Sequence, residues 1–188
     1  MLKNLKEAFP DVIRSERMDL VPVTRESLLC QMDEGPHARK ELSAVLDASV
    51  PEEWPPEHWE PHVVDYLLKL IAEHPDAVGW CRYLLLRRGT GRVLIGTFGC
   101  TFPKPETGEA ELGYGVLPSW QRQGFAAEAV MAMMPWLRMQ RAIHAFVAQT
   151  FPSLYGSVRV LEKCGFVSAG AGEEPGAILF RKTINNIV

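Results

Sequence analysis

Apolar positions along this chain switch between two spacings, and the switches mark out its elements. Residues 17–23, Arg-Met-Asp-Leu-Val-Pro-Val, alternate at period two, which predicts a strand. Thr24 follows as a helix N-cap, with Ser27 and Leu28 on the next turn. Residues 24–48 read as two short helices broken near Gly35-Pro36. The stretch 50–61 holds Pro51, Trp54, Pro55, Pro56, Trp59 and Pro61 and reads as a loop. After it, His62, Val63, Tyr66, Leu67 and Leu70 recur at helical spacing and predict an amphipathic helix. Residues 77–87 and 92–102 are rich in β-formers, split by Arg88-Gly89-Thr90-Gly91, a hairpin signal. A turn at 103–108 then leads into a strand at 109–116.

The second half alternates helix and strand. Phe125, Ala129, Met133 and Leu137 recur every four residues and predict the buried face of a long helix, which Pro135 should kink or end. Residues 142–150 read as a strand that includes His144. Pro152-Ser153 opens a helix whose apolar face is Leu154, Val158 and Leu161, with Gly165 as its C-terminal cap. Residues 166–169 and 177–182 are closing strands around a turn at 170–176. The order is α/β, with one mostly antiparallel sheet and helices on both faces. At 188 residues the chain fits a single domain, 1–188, with ample core.

Composition narrows the function. A net charge of −3 with no basic face or tail argues against a general nucleic-acid binder. No apolar run approaches the roughly 20 residues needed to cross a bilayer. Residues 1–10 alternate charged and apolar side chains and lack the apolar region of a signal peptide, so a cytoplasmic location is expected. Cys30, Cys81, Cys100 and Cys164 are too dispersed for a zinc site and read as reduced, mostly buried thiols. His58 and His62 are four apart, but Pro61 lies between them and no metal is expected.

The candidate chemistry lies at 111–127, Glu-Leu-Gly-Tyr-Gly-Val-Leu-Pro-Ser-Trp-Gln-Arg-Gln-Gly-Phe-Ala-Ala. A strand runs into a turn, and a basic, glycine-bearing loop opens a helix. Backbone N–H groups at a helix start, with the helix dipole, hold a pyrophosphate well. Gly124 permits close approach of a phosphate, and Arg122 adds positive charge.

This stretch resembles the acyl-CoA-binding motif of the GNAT superfamily, the GCN5-related N-acetyltransferases, through Gln121, Gly124 and Ala126 after a Gly-Tyr-x-Val-x-Pro strand end. The run 157–166, Ser-Val-Arg-Val-Leu-Glu-Lys-Cys-Gly-Phe, resembles the late helix of the same family, and 17–23 its first strand in the branch of ribosomal-protein N-terminal acetyltransferases. The resemblance implies the GNAT fold over nearly the whole chain and acetyl-CoA as cosubstrate. It implies cofactor contacts from Tyr114, Val116, Gln121, Arg122, Gln123, Gly124, Phe125, Ala126 and Ala127. The acceptor it implies is an amine, either a peptide N-terminus or a small molecule such as an amino acid or antibiotic. A homodimer stays open. A non-catalytic acyl-CoA-binding module is the alternative of another class.

Acetyl transfer needs a base for the amine, donors for the oxyanion and an acid for the thiolate. The resemblance points to Glu111 as the base, with Glu109 two residues away on the same face as its rival. It points to Ser157 as the acid, with Tyr155 as the alternative. Leu154 stands where the family usually has an asparagine on the cofactor arm, and Leu161 where other branches carry a tyrosine acid. Trp54, Pro55, Pro56 and Trp59 either line the acceptor pocket or cover the core.

Overall fold

The computed structural model describes residues 11–32, 35–140 and 143–184, so the charge alternation read at 1–10 lies outside the described residues. Its strands are β1 (Ile13–Arg14), β2 (Met18–Pro22), β3 (Cys81–Arg88), β4 (Gly91–Cys100), β5 (Glu109–Val116), β6 (Ala145–Thr150), β7 (Val167–Ala171) and β8 (Ile178–Thr183). Its helices are α1 (Arg25–Leu29), α2 (Pro36–Leu46), α3 (Pro61–Glu73), α4 (Phe125–Gln140) and α5 (Tyr155–Lys163). The strands form a sheet in the order β1-β2-β3-β4-β5-β6-β8-β7. This is the mixed α/β, mostly antiparallel architecture expected from the element order. The chain divides into two compact units.

The first unit holds the described residues up to Phe98 together with Tyr114–Gln121. Thr24 caps α1 in a reciprocal box: its hydroxyl accepts from the Ser27 N–H at 3.2 Å, while the Ser27 hydroxyl accepts from the Thr24 N–H at 3.0 Å. The core gathers Val21, Leu28, Leu46, Leu67, Tyr83 and Leu94. Trp54 and Trp59 are buried in it, each about 6 Å from the Tyr83 ring. Both indole N–H groups donate to Gln31 Oε1, at 3.2 and 2.9 Å. Gln31 Nε2 in turn donates to the Tyr83 hydroxyl at 2.7 Å. The tryptophans therefore cover the core. On α3 the buried positions are Val64 and Leu67, whereas His62 is exposed and Tyr66 is 60% exposed, so the apolar stripe is rotated from the one read in the sequence. β3 begins four residues later than expected, because Pro75–Ala77 coils into a single 3-10 turn. At Gly96 of β4 a Cβ would stand only 2.1 Å from the Gly115 carbonyl oxygen of β5. The two backbones meet there as only glycine allows.

The second unit holds Gly99–Gly113 and the described residues from Arg122 onward. The expected face of α4, Phe125, Ala129, Met133 and Leu137, is buried. Pro135 does not end the helix, which runs on to Gln140. α5 closes as expected at Gly165, whose φ is 80°. The Phe166 N–H donates to Leu161 O and the Gly165 N–H to Glu162 O, with Leu161 and Phe166 both buried. This is the paired closure that satisfies the last helix carbonyls. β6 pairs with β8 over six residues, from Ala145↔Thr183 to Thr150↔Ile178. Its parallel ladder with β5 covers three, from Glu109↔Ala145 to Glu111↔Val147. His144 precedes β6 rather than lying in it, and its ring packs where a Cβ on Gly108 would sit. β7 runs to Ala171, one residue past Gly170, which the sequence reading gives to the turn.

Candidate active site

Strand alternation puts Ala110 and Leu112 into the core and leaves Glu109 and Glu111 together on the opposite face of β5. Glu111 occupies the last rung of the parallel ladder. Its backbone is held on both sides by Thr101, whose hydroxyl accepts the Glu111 N–H at 2.9 Å and whose own N–H donates to Glu111 O at 2.9 Å. The side chain is held by β6: Gln149 Nε2 donates to Glu111 Oε1 at 2.9 Å. Glu109 is held differently. Arg181 of β8, which pairs with Val147, donates Nε to Glu109 Oε1 at 2.8 Å. The two rival glutamates are thus distinguished by their partners. Glu109 sits in an ion pair, while Glu111 meets a neutral amide.

Both glutamates line a cavity of about 190 Å³, together with Lys104, Val147, Gln149 and Glu173. Lys104 Nζ lies 3.3 Å from Glu173 Oε1. The Cys100 thiol belongs to the same surroundings. Burial, and after it the charge of Glu111, pushes its pKa far up. A thiol held protonated in this way is a poor nucleophile. A larger open groove of about 740 Å³ lies by α1 and α2 in the first unit, lined by residues such as Arg25, Leu29, Cys30 and Glu41. It contains no residue that the sequence singled out for catalysis.

The expected cofactor loop is built from two left-handed residues. Arg122 has φ 59° and Gly124 φ 85°. A non-glycine residue in this region is uncommon, and successive turns of this kind aim backbone N–H groups toward one point. Arg122 and Gln123 are exposed, and Gly124 O accepts the Glu128 N–H at 3.0 Å as α4 begins. The side chains of Phe125 and Ala127 are buried, so these two can offer a ligand only their backbone. Ala126 between them is partly exposed. In the first unit Tyr114 and Val116 are half-buried, and Gln121 Nε2 donates to Val116 O at 3.0 Å, closing the turn after β5. Within the second unit, the backbone from Arg122 to Ala127 has the left-handed turns and the helix start that suit a pyrophosphate.

On α5, Ser157 is half-buried and Tyr155 is 75% exposed. Leu154, expected on the buried face, is 46% exposed and stands at the N-cap with no side-chain hydrogen bond. Cys164 Sγ donates to Ala127 O at 3.6 Å, tying the end of α5 to the first turn of α4. His62 Nδ1 sits 3.1 Å from Glu60 Oε2, and His58 is an exposed left-handed residue. Among the described residues no group of three or more His, Cys, Asp or Glu side chains is placed to hold a metal ion, and no helix is long and apolar enough to cross a membrane.

Sequence reasoning missed Gln149, Arg181 and Thr101. Each meets a β5 glutamate only through strand pairing, and an isolated glutamine or threonine in a strand carries no local signal.

The chain matches the Acetyltransferase (GNAT) domain family over residues 35–167. It is 23% identical over 115 residues to an uncharacterized N-acetyltransferase, YjdG, of Bacillus subtilis, covering 61% of this chain and 67% of that one. Among solved structures it is similar to the ribosomal-protein-S5-alanine acetyltransferase of Vibrio fischeri, with a TM-score of 0.64 and 17% identity over 93% of this chain and 97% of that one. It is also similar to the microcin C7 self-immunity acetyltransferase MccE, solved with acetyl-CoA and AMP, with a TM-score of 0.55 and 12% identity over 90% and 93% of the two chains. At these identities the two structures speak for the fold.

Proposed function

The chain belongs to the GNAT acetyltransferase family, and from that premise we propose that it moves an acetyl group from acetyl-CoA directly onto an amine, the acceptor being a protein or peptide α-amino group. The observation that carries the chemistry is Glu111, fixed through backbone and side chain on the last rung of the β5–β6 ladder, facing a cavity and partnered by a neutral amide. A carboxylate so placed is free to take a proton, directly or through one water. The left-handed loop at Arg122 and Gly124 supports a cradle for the pyrophosphate.

In this reading the acceptor nitrogen attacks the thioester carbonyl. The N–C bond forms and the C–S bond breaks. The proton leaving nitrogen goes to Glu111 and on to solvent, and the sulfur takes one from Ser157, whose hydroxyl solvent reprotonates. Backbone N–H groups of β5 beyond Glu111 stabilise the oxyanion.

The peptide acceptor is supported by the S5-alanine acetyltransferase among the similar structures. The test is a panel of acceptors with acetyl-CoA: peptides with free α-amines, the same peptides N-formylated, and small amines. Thiol release is followed and products are read by mass spectrometry. A gain of one acetyl group on free but not formylated peptides is expected. Acetylation of small amines alone would replace the acceptor, and no thiol release above background with any of them would remove the enzyme reading.

A further inference from the structure

We propose that Gln149 is a positioning residue for the general base, and that it links Glu111 to the turn between β7 and β8. The proposal rests on the reading of Glu111 as base. The Gln149 amide is engaged at both ends. Its Oε1 accepts the Glu173 N–H at 2.5 Å, and its Nε2 donates to Glu111 Oε1 at 2.9 Å. The partners dictate this orientation, because a backbone N–H can only donate and a carboxylate can only accept. A flipped amide would lose both bonds.

The geometry around Gln149 leaves it little choice. It lies two residues past Val147, where the β5–β6 ladder has its last rung, so its side chain returns toward Glu111 from beyond the paired region. Gly172 presses on it from the turn: a Cβ there would stand 2.7 Å from Gln149 Oε1 and 2.8 Å from the Ala177 Cβ. Lys104 Nζ lies 3.3 Å from Glu173 Oε1, beside the same bond. Glu109 is already held by Arg181, so Gln149 selects which of two glutamates stays uncompensated and fixes its direction. A neutral donor does this without neutralising the base, as an arginine or lysine would.

Three variants test the proposal, each checked for folding by circular dichroism. Gln149→Met keeps length and loses both bonds. It should lower kcat about 10-fold or more and leave the KM for acetyl-CoA unchanged. Gln149→Glu keeps an acceptor for the Glu173 N–H but sets a like charge against Glu111. The acidic limb of its kcat–pH profile should move to higher pH by on the order of one unit. Gly172→Ala leaves Gln149 in the sequence and pushes it out of place, so it should reproduce the kcat loss even if the Gln149 variants do not fold. In a Glu111→Gln background, Gln149→Met should cause no further loss. An unmoved acidic limb in folded Gln149→Glu, an equal loss in the Glu111→Gln background, or wild-type turnover in Gly172→Ala would each overturn the proposal. If Glu111→Gln alone leaves turnover unchanged, the base reading has failed and takes this one with it.

Discussion

Two glutamates one side-chain step apart differ in one hydrogen bond, and that difference decides the chemistry each can do. Glu109 neutralises Arg181, so its removal leaves a cation without its partner, whereas Glu111 has an amide that any acceptor would satisfy. Glu111→Gln should therefore lower kcat about 100-fold or more with little change in the KM for acetyl-CoA, and Glu109→Gln should act mainly on thermal stability. Steady-state kinetics beside a melting curve separates the two. The acid is tested by the same logic. Ser157 is half-buried and Tyr155 points into solvent, and residues two apart on a helix do not share a face. Ser157→Ala should slow single-turnover transfer and Tyr155→Phe should not. The reverse result would give the role to the phenol.

At the scale of elements, the two glycines that matter most differ in kind. Gly124 has a backbone angle that β-branched residues avoid, so Gly124→Val should weaken acetyl-CoA binding at least 10-fold in calorimetry while leaving the fold intact. Gly96 has no such angle but has no room, and Gly96→Ala should cost about 2–4 kcal/mol in a denaturant titration, because the obstacle is a backbone oxygen that cannot rotate away. The first glycine was legible in the sequence as part of a loop before a helix. The second was not, since a close approach between β4 and β5 exists only once their register is set. The same division runs through the rest. Periodicity and punctuation by Gly and Pro placed β2, β5 and the cap at Gly165 within a residue or two, and gave the buried face of α4 though not its ends. They failed where tertiary packing chose among near-equal options. α3 turned Val64 inward in place of Tyr66, and α4 ran on past Pro135 instead of ending there, its buried face outweighing the lost donor and the crowding of the ring against the preceding turn. At the site, Glu111 could be named from its motif, but Gln149 lies 38 residues away in sequence and becomes its partner only through the parallel pairing of β5 with β6.

For the whole molecule, the buried acids set a limit at high pH. Burial pushes the Cys81 thiol up to about 12 and also raises the Tyr83 phenol and the Cys100 thiol strongly. In the unfolded chain the thiols ionise near pH 8.5 and the phenol near 10. Folded-state values raised above these give stability that is complete at neutral pH and falls as pH climbs past about 9, since the unfolded chain then releases protons the native one retains. The melting temperature should drop by several degrees between pH 8 and pH 10, at about 1.4 kcal/mol per pH unit for each such thiol. Arg82, lowered to about 10 by its burial, opposes the trend only above that pH. A flat melting temperature across this range would mean that these groups titrate normally in the native state. The ring cluster of the first unit has a consequence of another kind. Trp54, Trp59 and Tyr83 stand about 6 Å apart in pairs and are joined through the single side chain of Gln31. At such separations light absorbed by the phenol should pass to the two indoles, and their burial should shift their emission to the blue of a solvated indole's. Because the chain holds five tryptophans, the signal of this pair is the part of the tyrosine-excited emission that Trp54→Phe and Trp59→Phe remove together, and its red shift would time the moment when that glutamine lets go.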